Sequence, residues 1–139
     1  MQTGYTILEH PSDIGIEARG ATLADAFEQA ARGMMSVIIN LSTVDCQTTR
    51  EIIVTAADVE QLLVKWLSEI LYMYDGQQFI MKEFQIQALT DTELKAMVKG
   101  EIYSSSKHQT KLDVKAVTYH QLIVEENDNG GLVRMFLDI

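Results

Sequence analysis

Cysteine, proline and basic charge are all scarce in this chain, and each scarcity excludes something. A single cysteine, Cys46, cannot form an internal disulfide, and with Asp45 and Gln47 beside it no neighbouring cation lowers its pKa toward a reactive thiolate. There are 11 Lys and Arg against 20 Asp and Glu, a net charge of −9, so the chain lacks the clustered basic surface that grips a phosphate backbone. Strong direct nucleic-acid binding is therefore not expected. No apolar run is long enough to span a bilayer, and Met1-Gln2-Thr3-Gly4-Tyr5 lacks the basic and apolar regions of a signal peptide. The reducing cytoplasm is the expected compartment, with no membrane partner. Also missing are a glycine-rich phosphate loop, a histidine pair at helical spacing, a cysteine cluster for zinc and any internal repeat.

What remains is ample material for a core. At 139 residues and 47% hydrophobic, with one proline, the chain is expected to form one domain over residues 1–139. Thr22 and Asp25 stand at N-cap spacing before Leu23, Phe27, Ala30, Ala31, Met34, Met35 and Ile38, which predicts an amphipathic helix ending near Asn40. The methionines in that stripe are read as core filler. Asp58 and Gln61 repeat the capping spacing before Leu62, Leu63, Trp66, Leu67, Ile70, Leu71 and Tyr74, a second helix that Asp75-Gly76 is expected to stop. Trp66 belongs to the stripe and reads as core.

Elsewhere the period is two. Tyr5 to Leu8 and Ile14 to Arg19 read as a strand pair, residues 44–55 carry β-type residues, and Phe84-Ile86-Ala88 and Leu94-Ala96-Val98 alternate with polar residues across a Thr90-Asp91-Thr92 turn. Residues 102–110, rich in Ser, read as a mobile polar loop. Strands are expected from Val114 to His120, Leu122 to Glu125 and Leu132 to Leu137, with Asn127 to Gly131 as a hairpin turn rather than a calcium loop. The fold class that follows is α+β, with two main helices packed on mostly antiparallel β-sheet and the second helix as the main cover.

Chemistry-bearing residues concentrate in Glu9-His10-Pro11-Ser12-Asp13-Ile14-Gly15 and at Leu137-Asp138-Ile139. Asp13 and Gly15 can simply shape a turn. Lys115 stands in an apolar strand, where it either points to solvent or pairs with an acid. His108 and His120 read as ordinary loop and strand-end residues.

The segment from Glu9 to Gly15, the helix Leu62 to Tyr72, Gly100-Glu101, Val114-Lys115-Ala116-Val117-Thr118-Tyr119-His120 and the final Leu137-Asp138-Ile139 together resemble the archease family, in order and near its spacing, from about Tyr5 onward. Two positions depart from the family pattern: Pro11-Ser12 replaces the usual Thr-Ala, and Ser104 stands where an acidic residue is common. The resemblance implies a cytoplasmic α+β cofactor of an RtcB-type tRNA-splicing RNA ligase. Such a protein promotes guanylylation of the ligase and its multiple turnover, without being an enzyme itself. An alternative client is a tRNA methyltransferase, served as chaperone or specificity modulator. The resemblance further implies that Asp13, Asp138 and Ile139 bind a divalent cation, with Lys115, His10 and Glu101 as partner-facing or functional positions. Oxygen ligands select calcium, magnesium or manganese. A metal-dependent hydrolase lacks a base and nucleophile pair beside that cation, since His10 alone does not make an active site. A metal-stabilised binding module is the remaining alternative.

Overall fold

The computed structural model describes residues 3–9 and 13–139, so His10, Pro11 and Ser12 lie outside the described residues. Seven strands and two long helices run in the order β1 (Gly4–Glu9), β2 (Asp13–Gly20), α1 (Leu23–Ile38), β3 (Thr48–Thr55), α2 (Val59–Gln77), β4 (Phe79–Leu89), β5 (Glu93–Ile102), β6 (Ala116–Asn127) and β7 (Gly130–Asp138). They make two sheets, one ordered β1-β2-β7-β6 and one ordered β3-β5-β4, with every pair of neighbours antiparallel. The α+β architecture with two helices on antiparallel sheet is as the sequence pattern predicts. The covering role is shared: α1 packs on β2, β7 and β4, and α2 on β6, β3, β4 and β5, so each helix bridges both sheets.

Local chemistry starts both helices. The Thr22 hydroxyl accepts from the Asp25 amide, and the Asp58 carboxylate accepts from the Gln61 amide while the Gln61 side chain accepts from the Ala57 amide. A second acceptor for α1 comes from afar, where Glu126 on β6 takes the Leu23 amide at 2.7 Å. The predicted apolar stripes are buried, and Phe27, Met34, Met35, Leu63, Trp66 and Ile70 are fully inaccessible. Trp66 donates its indole N–H to the Phe27 carbonyl at 3.0 Å, so the largest core side chain also ties α2 to α1. Trp66→Ala would create a cavity between the helices costing about 3–5 kcal/mol.

Several boundaries differ from the sequence expectation. Helix α1 ends at Ile38 rather than near Asn40, and α2 runs through Asp75-Gly76 to Gln77. Gln78 terminates it in the left-handed region, φ 54°, with its amide bonded to the Met73 and Tyr74 carbonyls. The expected break between His120 and Leu122 is instead a bulge inside one strand, because Thr118 pairs with Phe136 and Ile123 pairs with Arg134, leaving the residues between them without partners on β7. Gln121 takes φ 50° there. The β6–β7 hairpin closes tightly at Asn127–Gly130, and the Asn127 side chain accepts from the Asn129 amide.

Candidate functional site

Strand alternation decides which way Asp13 faces. On β2, Ile14, Ile16 and Ala18 are buried toward the helices, as are Leu137, Met135 and Val133 on β7. Asp13, Gly15 and Phe136 therefore share the opposite face with Asp138. The β2–β7 register sets Asp13 directly against Asp138, which puts the two carboxylates on adjacent strands of one rung. Asp13 is half-buried and Asp138 exposed. Among the described residues neither side chain has a hydrogen bond or ion pair. Like charges facing across a rung destabilise by roughly 0.2–1 kcal/mol unless something neutralises them.

The third strand brings Lys115 to the same place. Ala116 pairs with Asp138, and the Lys115 amide donates to the Asp138 carbonyl at 2.8 Å. Lys115 precedes β6 rather than lying inside it, and its side chain is exposed with no acidic partner among the described residues. Of the two readings the sequence allowed, the solvent-facing one describes this conformation. Ile139 follows Asp138, half-buried and packed against the core.

Gly15 has a reason in this geometry. A Cβ there would lie 2.8 Å from the Phe136 ring, so glycine lets that ring approach β2 closely beside the acidic rung. The His120 ring meets Phe136 edge-on at 5.6 Å, and the Thr118 hydroxyl donates to the Phe136 carbonyl. His120 thus belongs to the bulge that flanks this face, which its reading as a plain strand-end residue did not show.

Two carboxylates, with no nitrogen or sulfur side-chain donor paired to them among the described residues, are a donor set suited to a hard cation. Among the described residues no group of three or more His, Cys, Asp and Glu could hold a metal ion, and Asp13 and Asp138 stand as a pair.

Glu101 lies in a different arrangement. Its carboxylate accepts from the Asp45 amide at 2.9 Å, the Lys107 ammonium at 2.8 Å and His108 Nε2 at 2.8 Å. Lys107 also bridges to Asp45 at 2.7 Å. The Lys107 ammonium above all, then the Asp45 amide, hold Glu101 down at about 2, against burial that pushes it up. Gly100 is glycine because a Cβ would run into the Ile80 carbonyl of β4, so strand β4 closes over the residue just before Glu101. Residues 103–110 form the loop their composition suggested, but Ile102 ends β5, and His108 is anchored in the interior at only 5% exposed. Sequence reasoning missed Asp45, Lys107 and His108. The one signal available was a basic pair six and seven residues after a glutamate at a strand end.

Nothing in these groups resembles a nucleophile with its base. Both His108 nitrogens are engaged, Nδ1 by the Ser104 amide at 2.9 Å and Nε2 by Glu101. Burial first, and then Glu83, push the Cys46 thiol up, away from thiolate.

The profile of the Archease protein family matches residues 5–139. This chain belongs to the archease family. The archease of Methanosarcina mazei is 38% identical, over 97% of this chain and 95% of its own, and that of Sulfolobus acidocaldarius is 33% identical over 99% of each. Among solved structures, Methanobacterium thermoautotrophicum protein 1598 superposes with a TM-score of 0.81 at 28% identity, over 99% of this chain and all of its own. An archease of Thermotoga maritima, described as a possible chaperone, gives 0.61 at 16% identity over 99% and 98%, a likeness of fold. Family membership covers both chain ends that meet in the β2–β7 rung, so the acidic pair lies within the matched region.

Proposed function

We propose that this archease-family protein is an accessory factor that activates an RtcB-type RNA ligase by promoting its guanylylation and multiple turnover. In this reading it performs no catalysis itself, and it holds a divalent cation (calcium, magnesium or manganese) with Asp13, Asp138 and Ile139. The observation that carries the reading is the register pairing of Asp13 with Asp138, two carboxylates on one rung with no counter-charge among the described residues. When bound, the cation neutralises the pair and offers positive charge to phosphate groups of a partner's nucleotide. Lys115, tied by its amide to Asp138, adds a second cation at the edge of the same rung. The net charge of −9 supports a protein partner over direct contact with RNA.

The test mixes the protein with its cognate ligase and GTP and follows labelled guanylate on the ligase. Acceleration that needs a divalent cation and falls at least tenfold in Asp13→Ala is expected. Asp138→Ala should have the same effect, while an N-terminal tag should not. No acceleration by the wild-type protein sinks the ligase reading, and a methyltransferase client then becomes the proposal to assay.

A further inference from the structure

We infer that Glu101 and His108 are positioning residues for Lys115, acting through the irregular segment that joins β5 to β6. The inference rests on the reading of Lys115 as a functional group beside a cation at Asp13 and Asp138. Residues 103–115 contain no strand or helix, only one isolated bridge between Thr110 and Ile39, so their path is set by discrete anchors. At the near end stands the Glu101 cluster. The Ser104 amide donates to His108 Nδ1, so the proton of the neutral ring is on Nε2 and is donated to Glu101. One carboxylate thereby fixes the ring, the ring fixes the turn through Ser104, and Lys107 clamps the turn to Asp45.

Beyond the turn the segment runs along the exit of α1. Gln109 accepts from the Asn40 amide, and the Lys111 and Leu112 amides donate to the Ile38 and Val37 carbonyls. The Lys111 ammonium takes the Ser36 carbonyl at 2.9 Å. These carbonyls belong to the last turn of α1, where backbone acceptors have no partner within the helix. The segment therefore doubles as the cap of α1, with Val114 buried to 1% just before Lys115. Its far end is the Lys115 amide on the Asp138 carbonyl. A strap of this kind has a buried attachment at Glu101, a line of backbone bonds along the exit of α1 and a shallow attachment at the acidic rung. Releasing the buried attachment slackens the segment toward its shallow end, and the Lys115 backbone loses its fixed place on the Asp138 carbonyl.

The test is residue-resolved amide hydrogen exchange on the full chain, with and without manganese, for wild type, Glu101→Ala and His108→Ala. The Lys115 amide is expected to exchange at least tenfold faster in both variants, while Leu63 to Leu67 in α2 keep their protection. Manganese affinity should stay within twofold of wild type, and ligase activation should fall by the same factor in Glu101→Ala and in Glu101→Ala/Lys115→Ala. Glu101→Gln, which keeps an acceptor for His108, should restore part of both the protection and the activation. Unchanged exchange at Lys115, or a double variant whose loss is the product of the single losses, overturns the inference. Where α2 also loosens, Lys107→Ala replaces the buried substitutions: a smaller acceleration confined to residues 104–115 upholds the strap, and none overturns it. Loosening at Lys115 in a protein that binds no manganese upholds the strap and removes the cation reading instead.

Discussion

Glu101 and Asp13 are both carboxylates at the end of a strand, and they differ in what surrounds them. Glu101, at 9% exposed, is met by an ammonium, an imidazole N–H and a backbone amide. Asp13 is half-buried opposite another carboxylate, and among the described residues nothing neutralises either. The first arrangement is complete within the chain and stabilises it. The second is incomplete, and an incomplete pair of charges is where a cation or a partner has something to add.

Substitutions on the two carboxylates sharpen this contrast. The largest stability effect is expected from Glu101→Leu, which strands the buried His108 N–H and the Asp45 amide, each loss worth about 1–3 kcal/mol. A fall in the urea midpoint of corresponding size is expected, and an unchanged midpoint would show that the cluster is not holding the segment. Next in size is the linkage of cation to folding at the acidic rung. Manganese at a hundred times its dissociation constant should raise the stability of the wild type by about 2.7 kcal/mol. Asp13→Ala should lose that increment yet unfold within about 0.5 kcal/mol of wild type in EDTA, because it removes a repulsion as well as a ligand. If Asp13→Ala keeps the increment, the cation is elsewhere.

Acid should separate the regions as well. Glu101 titrates at about 2 in the fold against an ordinary 4.5, so its contribution is complete above pH 4.5 and is lost as pH falls through about 2. The stability gap between wild type and Glu101→Gln should therefore be widest at neutral pH and close near pH 2, as read from urea midpoints across that range. The smallest effect belongs to Lys115→Ala. An exposed side chain without an ion pair should leave both the midpoint and the manganese titration unchanged within error, while ligase guanylylation falls. Normal activation by this variant would return Lys115 to an ordinary solvent-facing residue.

The parts of the molecule legible in the sequence are those fixed by local physics. Helix starts follow from Thr22 and Asp58, whose oxygens reach amides three residues on, and the buried faces follow from apolar spacing along each element. Strand alternation likewise gave β5, where Leu94, Ala96 and Val98 are buried as their period requires. Helix α2 outran its glycine because Gln78, not Gly76, took the left-handed position. A bulge at Tyr119 to Leu122 reads in a sequence like a gap between two strands, since only the β7 partner reveals that the pairing resumes.

Sequence by itself determined the α+β class and both helices with their core faces, while the resemblance to the archease family supplied Asp13, Asp138, Ile139, Lys115, His10 and Glu101 as an expected roster. Tertiary structure alone decided how that roster divides. Asp13 meets Asp138 because an antiparallel register joins the two ends of the chain, and no local propensity encodes a pairing at such separation. His108 is buried because the turn leaving β5 folds its ring back onto Glu101 and the Ser104 amide, a contact invisible in a run of serines. Short-range geometry is written in neighbouring residues, whereas the neutralisation of a charge depends on which distant group the fold carries to it.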